Sequence, residues 1–85
     1  MKLTLAQLET FCWIVRLGTF QAAARRQNLA QPTVSLRIRE LEAALGTSLL
    51  RRRGRRVQPT AEGSALHQDA ERILALAEGL EARGG

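Results

Sequence analysis

The stretch "QNLAQPTVSLRIRELE", Gln27 to Glu42, joins a polar turn to a helix with arginines set between its apolar positions. Asn28 tolerates the left-handed backbone that a tight turn needs. Gln31-Pro32 then opens a helix, because a proline at the first helical position loses no hydrogen bond. Val34, Ile38, Leu41 and Leu45 follow at spacings of four, three and four, which predicts one buried stripe on a helix ending at Gly46. At about 100° per residue the opposite side holds Pro32, Thr33, Leu36, Arg39, Glu40 and Ala43, with Ser35 and Arg37 on the flanks.

Outward from this helix the chain reads as further short elements. Leu5, Leu8, Phe11, Cys12 and Val15 recur at helical spacing between Thr4 and Leu17, and Gly18 stops that first helix. "GTFQAAARRQ" starts a second, with Thr19 as N-cap and three alanines that permit close packing. Beyond Gly46, "TSLLRRRGRRVQPT" cannot continue a helix. Two extended runs, Ser48–Arg52 and Arg55–Gln58, flank a turn at Arg53-Gly54 and predict a small hairpin. Thr60 caps a fourth helix, from about Ala61 to Ala82, ahead of an "RGG" tail. Helix, helix, turn, helix, arginine-rich hairpin, long helix is the winged helix-turn-helix plan.

Composition points the same way. The 85 residues form one small domain or a fragment, 45% apolar and 25% charged. Thirteen Lys+Arg against eight Asp+Glu give a net charge of +5, and twelve of the thirteen cations are arginine. That balance favours a polyanionic partner, most simply nucleic acid, over the alternative of a solubilising surface. Cys12 is the only cysteine, so there is no internal disulfide and a reducing compartment is expected. No apolar run approaches the ~20 residues of a membrane span. The N-terminus does not read as a signal peptide, which leaves the cytoplasm as the expected location.

In a helix-turn-helix the N-terminal part of the second helix reaches base edges. Gln31, Thr33, Ser35 and Leu36 are therefore the base-reading residues expected here, and Arg37 and Arg39 can reach a base or a neighbouring phosphate. Free N–H groups at the helix start add a phosphate site. A cationic run such as Arg51–Arg56 is usually just solvated. Here Leu49, Leu50 and Val57 bracket it and can tether it to the core as a wing over the sugar-phosphate backbone, with one arginine free to enter a narrow minor groove.

At this point the chain closely resembles the N-terminal DNA-binding domain of LysR-type transcriptional regulators. The resemblance runs from "LAQLETF" through "GTFQAAARR", "LAQPTVSLRIRELEAALGTSLL" and "GRRVQPTAEG" into the last helix, and so covers essentially the whole chain. Its most specific part is Gln31-Pro32-x-Val34-Ser35-x-x-Ile38-x-x-Leu41-Glu42-x-x-Leu45-Gly46. It implies a mainly α, homodimeric winged helix-turn-helix over residues 1–59, with a linker and dimerisation helix and tail over 60–85. It also implies a bacterial regulator that binds double-stranded DNA at an inverted-repeat operator, with tetramers open to the full-length protein. Base and phosphate contacts would fall on Gln31, Pro32, Thr33, Ser35 and Leu36, and on Arg52, Arg53 and Arg55 of the wing. No cofactor is expected in these residues. A small-molecule effector would bind a C-terminal domain absent here. Two positions depart from the family: Leu36 stands where arginine is frequent, with Arg37 expected to replace it in part, and Leu50 stands where phenylalanine is common.

Leu66, Ala70, Ile73, Ala77 and Leu80 form a heptad stripe on the last helix, broadened by Leu74 and Leu76. Trp13, Ile14 and Leu17 are expected off the core face of the first helix. They would form an apolar patch that packs against the last helix within the monomer, across a dimer, or both. Trp13, Leu66, Ala70, Ile73, Ala77 and Leu80 are thus the expected dimer interface. His67 has no second His or Cys at metal-ligand spacing, so no metal site is expected. Cys12 reads as core, and no nucleophile–base pair or phosphate-cradling loop is present, so the chain reads as a non-enzyme. Two other functions compete: a non-specific architectural binder, which would lack a defined reading face, and a helical protein–protein module built on the last helix.

Overall fold

The computed structural model describes residues 1–84, as α1 (Leu5–Leu17), α2 (Phe20–Gln27), α3 (Gln31–Leu45), β1 (Leu50–Arg53), β2 (Arg56–Pro59) and α4 (Ala61–Gly84). Local chemistry sets each boundary. Thr4 and Gln7 form a reciprocal capping box at the start of α1. Thr19 Oγ1 accepts from Ala22 N–H at the start of α2, and Asn28 ends that helix at φ 57°, ψ 45°. Helix α3 has no side-chain cap and relies on its N-terminal proline. Of the expected "RGG" tail, Gly84 is the last residue of α4 and Gly85 lies outside the described residues.

The core is built around α1, against which α2, α3 and α4 all pack. Leu8, Phe11 and Ile14 of α1 meet Ala23 of α2, Val34 and Leu41 of α3, and Ala70 of α4, each at most 1% exposed. Ile14 was expected on an outer patch and is instead fully buried. A helix enclosed by three others has a core face wider than the single stripe its spacing suggests. Leu5, at the exposed start of α1, is half exposed instead. Leu45, the last residue of α3, is 38% exposed and lies outside the stripe formed by Val34, Ile38 and Leu41. The expected division at residue 59 is not a packing boundary, since Ala70 belongs to the same core.

The hairpin turns at Gly54-Arg55, one residue later than expected, with Arg53 paired to Arg56 and Leu50 to Pro59. Gly54 has φ 63° and Arg55 does not share a positive φ, the pattern of a type II′ turn, which places glycine as its first central residue. Val57 N–H donates to the Gly18 carbonyl, which fastens the hairpin to the end of α1. Its other anchor is Leu49, 1% exposed, whose N–H donates to Glu42 Oε2 and whose carbonyl accepts from Thr60 N–H. Gly63 lets α4 pass directly under this segment: a Cβ there would run into the Leu49 carbonyl. Thr60 Oγ1 accepts from Gly63 N–H and donates to the Ser48 carbonyl, joining the start of α4 to the approach to the wing.

Candidate nucleic-acid interface

With Val34, Ile38 and Leu41 buried, α3 turns Gln31, Pro32, Leu36 and Arg39 outward, while Thr33 and Ser35 are half-buried. Leu36, 46% exposed, is an isolated apolar side chain on this face. The wing stands beside the start of the helix. Arg52 and Arg55 share a notch of about 260 Å³ with Thr19, Gln21, Gln31 and Ser35. Directly opposed residues of an antiparallel pair project to the same face. The register therefore puts Arg52 with the half-buried Val57, and Arg53 with Arg56 on the other face. The sequence-predicted wing residues thus divide: Arg52 and Arg55 join the helical site, and Arg53 does not line it.

The electrostatics of this surface are one-sided. The guanidinium–carboxylate pairs among the described residues are Arg16–Glu71 and Arg72–Asp69, and His67 lies 3.4 Å from Glu71. None involves Arg39, Arg51, Arg52, Arg53 or Arg55, all of which are exposed. Exposed cations gathered around a notch and lacking an internal counter-ion set up a local positive potential that attracts an anion. Arg56 has a different task. Its Nη2 donates to the Leu17 carbonyl at 3.3 Å, over Gly18, and so helps pin the wing.

Arg37 is removed from the expected set. Its Nη1 donates to Thr10 Oγ1 at 3.1 Å, and Thr10 is completely buried. Thr10 in turn donates to Gln27 Oε1, and Gln27 Nε2 donates to Glu9. The guanidinium of Arg37 therefore closes a polar link between α1, α2 and α3, so it is not free to replace an arginine at position 36. Sequence spacing placed Arg37 on a flank of the helix, but the flank faces α1. Thr19 and Gln21 are the residues that sequence reasoning missed. Both belong to the start of α2, which only the fold brings beside the wing.

The expected dimer surface also changes. Ala70 is fully buried in its own monomer and Leu66 packs on the core. Trp13 lies under two guanidinium groups, Arg26 at 4.3 Å and Arg16 at 5.3 Å from the ring centroid, so it is not a bare apolar patch. What remains open on α4 is Ile73, Leu76 and Leu80, which are 41%, 72% and 62% exposed. Leu76 was assigned only a broadening role in the sequence and is the most exposed of the three. None of the described helices is long and apolar enough to cross a membrane.

Away from this face, Cys12 is buried at the α1–α4 contact. Burial first, and then the adjacent Glu71 carboxylate, push its thiol up to about 12. Desolvation acts to raise Glu71 as well, but the Cys12 thiol and the Arg16 guanidinium more than offset it and hold this carboxyl below its usual value.

The family model for bacterial regulatory helix-turn-helix proteins of the lysR family matches residues 5–64. The regulator TcbR of Pseudomonas sp. (strain P51) is 42% identical over 71 residues, which are 84% of this chain and 24% of that protein. The chain thus spans about a quarter of that relative's length. Among solved structures, the CbnR DNA-binding domain in complex with DNA superposes with a TM-score of 0.90 at 38% identity, covering 96% of this chain and 94% of that one. The DNA-binding domain of BenM bound to benA site 1 DNA gives 0.90 at 33% identity, covering 96% and 95%. Oxidized OxyR of Corynebacterium glutamicum gives 0.93 at 34% identity, over all of this chain and 28% of that one.

Proposed function

Since this chain belongs to the lysR family of bacterial regulatory helix-turn-helix proteins, we propose that it is the sequence-specific DNA-binding domain of a transcriptional regulator, working in the bacterial cytoplasm as a homodimer on an inverted-repeat operator. One observation carries the reading. The outward start of α3 and the counter-ion-free Arg52 and Arg55 border the same notch. In the major groove, Gln31, Thr33, Ser35 and Leu36 face base edges, with Arg39 further along the helix. Arg52 and Arg55 then meet the flanking phosphates, and Arg53, on the other face of the hairpin, reaches backbone further out. Pro32 sets the angle at which α3 enters.

The dimer uses Ile73, Leu76 and Leu80 on the distal half of α4, with Ala77 permitting close approach. Two half-sites on one duplex are then read together, which multiplies weak single-domain affinity. No catalysis is required of any residue in this arrangement, and the domain acts by occupancy of DNA.

The deciding measurement is selection of duplexes from a random library, followed by anisotropy titration of the selected and scrambled sequences at fixed salt. Specific binding at least ~10³-fold tighter than to the scrambled duplex is the expected result. Equal affinity for both would replace this reading with a non-specific, arginine-driven binder.

A further inference from the structure

The DNA-facing surface leaves one cluster of reactive side chains unused. Cys12 lies on α1, and His67 and Glu71 stand one turn apart on α4. The Cys12 Sγ, a ring nitrogen of His67 and a carboxylate oxygen of Glu71 all lie within 4.8 Å of one another. Sequence spacing around His67 does not disclose the set, because the sulfur arrives from a different helix. Within it, His67 Nε2 is shut off from solvent and makes no hydrogen bond. Glu71 Oε1 lies 3.4 Å away. A buried polar atom left in this condition is costly and marks a place where something else can bind.

We propose that Cys12, His67 and Glu71 are three protein ligands of a Zn²⁺ site at the α1–α4 contact. The donor set is one sulfur, one imidazole nitrogen and one carboxylate oxygen, which suits zinc rather than the oxygen-seeking magnesium or calcium. In tetrahedral zinc coordination, bond lengths of about 2.3 Å to sulfur and 2.0 Å to nitrogen separate those two donors by roughly 3.5 Å. The three donors stand only a little wider than that span, a gap within the reach of side-chain rotation. Thiolate and carboxylate neutralise the divalent charge. On binding, the Cys12 S–H bond gives way to an S–Zn bond and the proton leaves to solvent.

The surroundings are those of a supported site. Arg16 Nη2 holds Glu71 Oε2 at 2.6 Å, which leaves Oε1 for the ion. The edge-to-face contact between Phe11 and His67, with ring centroids 6.4 Å apart, orients the imidazole. The cleft that Cys12 and Glu71 line with Trp13, Arg16, Leu74 and Ala75 opens toward two of the three ligands and gives the ion a way in. None of the three ligands faces the notch of Arg52 and Arg55, so the site is independent of the DNA reading.

The test is a titration of the full chain, reduced and freed of metal, with Co²⁺ and then Zn²⁺. A thiolate-to-cobalt charge-transfer band that saturates at one ion per chain and is bleached by Zn²⁺ is expected, together with a raised thermal midpoint in zinc. Cys12→Ser should abolish the band. His67→Gln and Glu71→Gln, at half-buried positions, should keep the far-ultraviolet circular dichroism of the native chain yet bind at least ~10-fold more weakly. Absence of the band at saturating Co²⁺ would overturn the proposal. So would a band whose affinity neither His67→Gln nor Glu71→Gln changes, since that describes a lone thiol meeting a metal ion.

Discussion

The arginines fall into two groups that look alike in the sequence and differ in what stands against each guanidinium. Arg16, Arg26 and Arg37 surround the α1 flank, and each has a partner: Glu71, the Trp13 ring and the buried Thr10 hydroxyl. Arg39, Arg52 and Arg55 are exposed and have no carboxylate against them. The first group holds helices together, whereas the second stands out from α3 and the hairpin without a counter-charge. A cation's role is therefore decided by what lies within its reach, and two neighbours in α3, Arg37 and Arg39, have opposite roles.

The largest effect should come from damaging the support that keeps the two groups apart. Gly63→Ala drives a Cβ into the Leu49 carbonyl, where only backbone could give way. We expect a loss of about 3 kcal/mol of stability, read by urea denaturation, and a weakened DNA complex although no arginine is altered. A variant as stable as the native chain would mean that α4 can pass the wing by another route.

Exchange experiments then separate the groups. Arg52→Ala with Arg55→Ala should leave stability within ~0.5 kcal/mol and lower the log–log salt slope of DNA binding by ~1.8, at ~0.9 per phosphate contact. Arg37→Ala should do the reverse. It should cost about 1–2 kcal/mol through loss of a charged hydrogen bond to a buried hydroxyl, with the salt slope unaltered. Should Arg37→Ala change the slope and spare stability, the division between the groups is wrong.

Leu36 refines the picture of the exposed face, because an outward leucine has no core to join. Over DNA its chemistry is contact with a thymine C5-methyl group. Replacing that thymine by uracil should weaken native binding by about 1 kcal/mol and leave Leu36→Ala almost unaffected. If uracil is silent at every position of the half-site, Leu36 reads no methyl group.

The smallest effect concerns the exposed Arg16–Glu71 pair, worth under ~1 kcal/mol after solvent screening. Glu71 has its pKa lowered in the folded chain from an ordinary value of 4.5. Its contribution is therefore present above that value and is lost as pH falls through the lowered folded pKa. With chelator present, the stability difference between the native chain and Glu71→Gln should shrink as pH falls below 4.5. A difference that grows on acidification would reverse the sign assigned here.

Helix ends were legible in the sequence because single residues decide them: Thr4, Thr19, Asn28, Gly18 and Gly46 act through their own side chains or backbone angles. The outward face of α3 and the presence of a wing were legible because each is a pattern within one element, the Val34–Ile38–Leu41 spacing and the arginine run bracketed by Leu49, Leu50 and Val57. What escaped depends on more than one element at a time. Ile14 is buried because three other helices enclose α1, and Arg37 is engaged because Thr10 lies opposite it. Thr19 and Gln21 join the notch only when the hairpin stands against α2. Ala70 fell on the heptad stripe, but a stripe does not say whether its partner is a second chain or the chain's own first helix.

Gly63 has one more consequence, a mechanical one. Helix α4 is anchored over its first half, where Gly63 and Ala70 are buried, and its distal half carries the open Ile73, Leu76 and Leu80. It is therefore a lever of 24 residues and roughly 36 Å, loaded at one end and bearing at the other on the backbone of Leu49. A torque applied to the tip cannot swing the root freely, because the Leu49 carbonyl blocks it and Thr60 is bonded to both sides of the joint. Leu49 leads directly into β1, the strand that carries Arg52. The root of this helix and the arginine over the notch are therefore fixed to the same short stretch of backbone.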